Sequence, residues 1–245
     1  MTIEHAVSFN GEMMRAILSG EKTQTRRPFR HQPPADAVMR HIIFGEDVWG
    51  ENIRVPGNRM GQRVANETIW RCPHGQPGHK LWARESWRVG AWQKGRMNGE
   101  LAVDYRADGY SRCEWLQVEN DEMFLRMVTQ SHHDAEHAEE DAMMSDPDKY
   151  KGGYIWKPGD SPCRWRPSIH MPRWATRFTP TIISIRAERV QDIPEEDAES
   201  ELDGYIGLAA LCKFARIWES CYGQNEKLKW SANPWVWATE FERFV

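Results

Sequence analysis

Apolar and polar positions change period several times along the chain, and each change predicts an element. Met13 and Ile17, and Met14 and Leu18, are i, i+4 pairs, so residues 13–19 are expected to form a short helix with one apolar face. Gly20 stands where a helix C-cap glycine belongs, because glycine enters the left-handed region without a Cβ penalty. Residues 23–28 then read as extended, with Thr23 and Thr25 on one face and Gln24 and Arg26 on the other. Lys22 falls at the junction, where alternation need not hold. Further strands are expected over residues 6–9, 64–71, 81–87, 101–106, 178–190 and 235–244. In the stretch 81–87, Leu81, Ala83, Glu85 and Trp87 share a face. In the last, Trp235, Trp237, Thr239 and Phe241 oppose Val236, Ala238 and Glu240. A helix start is expected over 191–198, where three acids follow Pro194 in the first turn at the positive end of the dipole. Leu211, Phe214, Ala215, Trp218 and Tyr222 give a second helix over 208–222, with Gly223 as its stop. Residues 134–144 read as an acidic helix, 29–63 as long loops, and 165–174 as a loop punctuated by proline. Strands followed by helices and a closing strand suit an α+β fold rather than a parallel doubly wound sheet.

Composition narrows the class. The 245 residues suffice for one large domain or two small ones, with 40% hydrophobic and 28% charged residues. Thirteen tryptophans suggest either an aromatic-lined cleft beside a core or simply core and rim packing. No run approaches the roughly 20 apolar residues of a membrane span. The start of the chain lacks the pattern of a signal peptide, and the five cysteines are scattered, so a cytoplasmic protein with reduced thiols is expected.

The formal charge of −4 argues against a surface built for duplex nucleic acid. The charge is segregated, however. Lys22, Arg26, Arg27 and Arg30 cluster without an acid, as do Arg164, Arg166, Arg173 and Arg177. If these stretches meet they form a site for an anionic ligand; otherwise they are two solvated loops. Cys72, His74 and His79 match no zinc spacing, and His132, His133 and His137 suit a solvated helix face, so no metal is expected. No glycine-rich phosphate loop or nucleophile elbow occurs, and no cofactor is expected.

The stretch Gly20-Glu21-Lys22-Thr23-Gln24-Thr25-Arg26-Arg27 resembles the Gly-x-Lys-x-x-Thr-x-Arg signature of ASCH domains at Gly20, Lys22, Thr25 and Arg27. Residues 78–87, 165–175 and 233–237 are similar to later segments of prophage-encoded ASCH proteins. The resemblance runs from near Met13 to the end, with a gap over about 90–160. It implies a PUA-like β-barrel with flanking helices, one domain over 1–245, and a loop-rich insertion at about 90–160. A small ASCH subfamily comprises N4-acetylcytidine amidohydrolases that use a Lys, a Thr and a Glu. Their Lys-x-x-Thr matches Lys22 and Thr25, and residues 193–201 align Glu201 with their Glu. The resemblance thus implies Thr25 as nucleophile, Lys22 as base and Glu201 as acid toward the amide of a modified nucleoside.

Residue chemistry sets conditions on that reading. A threonine hydroxyl is a weak nucleophile until its proton is taken, and a lysine takes it only if burial or nearby cations lower its pKa. Arg26 and Arg27 supply such cations. Glu85, among apolar neighbours, is either a site acid or a structural partner of Arg26, Arg27 or Arg84. Trp82 or Trp165 is the candidate to stack on a base, with His170 and Arg173 in the basic loop as further substrate contacts. Lys22 and Thr25 would otherwise only brace the helix-to-strand turn. Two other functions stay open: a non-catalytic module for RNA or a modified base, and a phage accessory protein acting through protein partners.

Overall fold

The computed structural model describes residues 3–33, 38–44, 48–54, 67–92, 99–108, 113–118, 120–145, 156 and 159–243. The elements run β1 (Glu4–Ser8), α1 (Gly11–Leu18), β2 (Gln24–Pro28), β3 (Val38–Phe44), β4 (Val48–Arg54), β5 (Glu67–Trp70), β6 (Lys80–Arg84), β7 (Trp87–Trp92), β8 (Glu100–Tyr105), β9 (Cys113–Gln117), α2 (Asp121–Ser145), β10 (Ile182–Arg189), α3 (Glu195–Ser200), α4 (Gly207–Tyr222) and β11 (Trp235–Phe241). The class is mixed α and β. Among the described residues the sheets are small, one of two strands (β1 and β6) and three of three, and none closes into a barrel. No described helix is long and apolar enough to cross a membrane.

The chain forms two compact units, one of Met1–His5, Ala16–Leu81 and Pro180–Val245, the other of Ala6–Arg15 and Trp82–Thr179. The first holds the antiparallel sheet β10-β11-β2 and the meander β3-β4-β5. In the former, Arg26 pairs with Ala238, which pairs with Arg186, and Thr25 pairs with Thr239, which pairs with Ile185. Side chains in register share a face. One face therefore carries Gln24, Arg26, Arg186, Glu188 and Glu240 around the small Ala238. The other carries Thr25, Arg27, Ile185, Ala187, Trp237 and Thr239. The alternation expected over 235–241 is the one observed. A cluster of Val190, Ile193, Ala198, Leu202, Ala210, Phe214, Trp218 and Val236 joins α3, α4 and β11. Each buried Val, Ile, Leu or Phe of this cluster stabilises by about 2 kcal/mol.

Gly20 adopts φ 77°. Its amide donates to the Ile17 carbonyl, and those of Glu21 and Lys22 donate to Ala16, each at 2.9 Å, which ends the helix as the sequence predicts. Gly223 differs. It stops α4 at φ −60°, without entering the left-handed region. Pro194 is the N-cap of α3 rather than a first-turn residue.

The second unit builds its core on the meander β7-β8-β9 and the first half of α2: Trp87, Val89, Leu101, Val103 and Tyr105 meet Phe124 and Met127. Two sequence expectations change here. The strand expected over 81–87 breaks at Glu85 and Ser86 into β6 and β7, because Trp87 turns to exchange backbone hydrogen bonds with Arg166 at 3.2 and 2.8 Å. The acidic helix starts thirteen residues before the expected Asp134, at Asp121, where the Asn120 side chain accepts the Met123 amide at 2.8 Å. Phe124, Met127 and Ser131 bury one stripe of it, ahead of the acidic run at 134–144. The expected insertion at 90–160 lies within this unit. In the first unit, strands β3 and β4 pair within 29–63, where loops were expected.

Candidate functional site: a buried charge cluster beside strand β2

Three chain segments bring charged groups together in the first unit. The turn after α1 supplies Lys22, β2 supplies Gln24 and Arg26, and α3 with its C-cap supplies Asp197 and Glu201, one helical turn apart. The α3 end is held at this place by its backbone: the Thr23 amide donates to the Ser200 carbonyl at 2.9 Å. Strand β10 adds Arg186 and Glu188 from the same sheet face.

Lys22 is 1% exposed and Glu201 5%. The Lys22 ammonium lies 2.5 Å from Glu201 Oε2 and donates to the Glu201 main-chain carbonyl at 3.0 Å. The other Glu201 oxygen accepts from Arg26 Nη1 at 3.1 Å. Arg26 also reaches Glu188 at 2.6 Å through Nε and Asp197 at 2.7 Å through Nη2. Gln24 bridges the set, donating to Asp197 at 2.9 Å and accepting from Arg26 at 3.3 Å. Arg186 contacts Asp197 and, at 2.8 Å, Glu188. Three cations thus face three carboxylates, which is what lets so many charges leave water.

Burial pushes the Lys22 amine below its ordinary pKa; Glu201 opposes that shift, while the charges of Arg27 and Arg26 add to it. Burial also opposes the charge of Arg26, but Glu201 and Glu188 outweigh it and hold the guanidinium above its usual value. Burial raises Asp197, yet hydrogen bonds from Gln24 and Arg26 and the charge of Arg186 bring it below the usual carboxylate range.

Thr25 is 3% exposed and lies on the opposite face from Gln24 and Arg26, across from Thr239. Among the described residues no hydrogen bond joins Lys22 to Thr25. Arg27 shares the Thr25 face and is half-buried, with Nη1 3.5 Å from the Tyr222 hydroxyl. Nearby in the first unit, burial and then the charge of Arg27 hold His74 down to about 4. His5 Nε2 and His79 Nδ1 lie 3.0 Å apart, in rings parallel within 8° whose centroids are 5.2 Å apart. The rings therefore lie end to end and share a proton, whereas two ligands of one metal would aim at a common point. Among the described residues no three potential ligands gather around a metal position.

The other candidates belong to the second unit. Glu85 is 1% exposed and pairs with Arg177 through both oxygens, at 2.9 and 3.0 Å, a partner the sequence did not offer. The Arg177 guanidinium lies 4.1 Å over the Tyr105 ring. Trp82 and Trp165 are half-buried, under Arg84 at 5.4 Å and Arg88 at 4.5 Å. His170 is exposed in the turn Ser168–His170, and Arg173 is half-buried in Arg173–Ala175. Arg166 lies 5.1 Å over Trp87, so part of the second basic stretch is packed on aromatic rings.

The structure thus joins Lys22, Arg26 and Glu201 into one cluster, while Thr25 and Arg27 occupy the other side of the sheet. Sequence reasoning missed Gln24, Arg186, Glu188 and Asp197 as members. A signal was present for each: the first three alternate with residues of the opposite strand face, and Asp197 lies one helical turn before Glu201. Comparison with family models, with curated proteins and with solved structures gives no significant match.

Proposed function

We propose that the chain is an ASCH-type protein of PUA-like barrel ancestry, working in the cytoplasm, that hydrolyses the N4-acetyl amide of an acetylcytidine-type nucleoside. The observation carrying this reading is the Lys22–Glu201 pair. The two positions that the resemblance offers as base and acid are 179 residues apart in sequence, yet they share a buried contact of 2.5 Å. Burial lowers the Lys22 amine, which is what a general base at neutral pH needs. In this reading Thr25 Oγ bonds to the acetyl carbon as its proton passes to Lys22. The proton moves on to Glu201 and then to N4 as the C–N bond breaks. Water releases acetate from Thr25.

A second reading has its own support. Thr25 lies on the face opposite Gln24 and Arg26, and a binding module for RNA or a modified base needs no proton transfer between Lys22 and Thr25. Chromatography of N4-acetylcytidine incubated with the protein separates the two. Cytidine formed by the wild type, but not by folded Lys22→Met or Thr25→Ala, supports hydrolysis. Loss in Lys22→Met with retention in Thr25→Ala removes Thr25 as nucleophile. No cytidine from the wild type leaves the binding module, which affinity for RNA across salt then tests.

A further inference from the structure

Thr239 of β11 stands directly opposite Thr25 of β2 in the antiparallel register, so both side chains leave the sheet on one face. Cβ atoms of such pairs are about 5 Å apart, a span that one ligand oxygen can bridge between the two hydroxyls. Thr239 is 2% exposed, and its hydroxyl oxygen is buried without a hydrogen-bond partner among the described residues. An unpartnered buried hydroxyl destabilises a fold, and valine would fill the same space without that penalty. Packing alone does not account for a threonine here; a ligand that accepts its hydrogen bond does.

We propose that Thr239 is a ligand-binding residue whose hydroxyl donates a hydrogen bond to the carbonyl oxygen of the acyl group presented to Thr25. The identity of the acyl ligand rests on the amidohydrolase reading; the unsatisfied donor does not. No bond to Thr239 forms or breaks. The donated hydrogen bond strengthens as the carbonyl oxygen gains negative charge, so the residue acts on the transition state more than on the bound substrate.

The test compares the wild type with Thr239→Val and Thr239→Ser on N4-acetylcytidine. Valine is expected to lower kcat/KM about 100-fold, mostly in kcat, without lowering the melting temperature. Serine, which restores the hydroxyl, should stay within about tenfold of the wild type. A packing role alone would leave kcat and KM untouched, because valine fills the same space. Wild-type kcat and KM in Thr239→Val overturn the proposal while leaving the amidohydrolase reading intact. If the wild type does not turn over the nucleoside, that reading fails by itself. Calorimetric titration with intact N4-acetylcytidine then decides: binding about fivefold weaker in Thr239→Val upholds the hydrogen bond, whereas equal binding, or none to the wild type, overturns it.

Discussion

Lys22 and Glu201 meet in a buried ion pair, with Nζ 2.5 Å from Oε2 and 3.0 Å from the main-chain carbonyl of the same glutamate. The contact ties the turn that ends α1 to the residue that ends α3. Glu201 also accepts from Arg26 through its second oxygen, so one carboxylate serves two buried cations. A cation on a solvated turn would have been free to change partners. Here the helix end, the strand and the turn fix one another, and hold the amine against the carboxylate.

Loss of one partner should therefore cost more than loss of both. Glu201→Ala leaves the Lys22 ammonium buried with only a carbonyl for company and weakens the hold on Arg26. Destabilisation of about 3–5 kcal/mol is expected from urea unfolding at neutral pH. Combining Lys22→Met with Glu201→Leu replaces the pair by apolar groups of similar size, and should recover much of that loss. Additive effects of the two sites would contradict the coupling.

How far the sequence anticipated this arrangement depends on the distance over which each signal acts. The Gly20 cap and the two-residue alternation at 235–241 are local, and both appear as read, with Gly20 at φ 77°. Glu201 and Lys22 were paired through a resemblance, since nothing local relates residues so far apart. Glu85 shows the limit. Its alternation with Leu81, Ala83 and Trp87 implies burial but leaves open a site acid or a structural partner of Arg26, Arg27 or Arg84; periodicity does not reach the partner observed, Arg177. The strand break at Glu85 and Ser86 was illegible for the same reason, because it answers to Arg166 on a distant loop. The early start of α2 had a local signal in Asn120, which the stronger acidic run further on obscured.

His74 should make the protein acid-sensitive. Its value is about 4 in the folded chain, against 6.5 for the free side chain, because burial and then Arg27 disfavour its charge. Between those values the unfolded chain binds more protons than the folded one, so stability rises with pH from 4 to 6.5. The contribution is complete above 6.5 and lost on acidification, at about 3 kcal/mol by pH 4. His5, lowered by burial and by His79, acts in the same direction. Asp197 is lowered below 3.8, so its contribution is lost only at still lower pH. Urea unfolding at pH 7 and pH 4 should show a smaller difference in His74→Leu than in the wild type. An unchanged difference would remove His74 as the source.

The ionisation of Lys22 offers a test that needs no substrate. Its amine is lowered first by burial; Glu201 opposes the shift, and Arg27 and Arg26 reinforce it. Substitutions on the two sides of this balance must therefore move it oppositely. Glu201→Gln keeps the shape and hydrogen-bonding capacity but removes the negative charge, so the Lys22 value should fall further. Arg27→Met removes a positive charge from the half-buried other face, so the value should rise toward that of a free lysine. Titration of protein carrying 13C-labelled lysine, followed at Cε, reads both directly, with Lys22→Met assigning the resonance. Shifts of the same sign in the two variants, or a wild-type Lys22 titrating at the ordinary lysine value, would show that the cluster does not tune the amine. Opposite shifts would mean that the surroundings of Lys22 set its basicity, the property on which the proposed role as a proton acceptor depends.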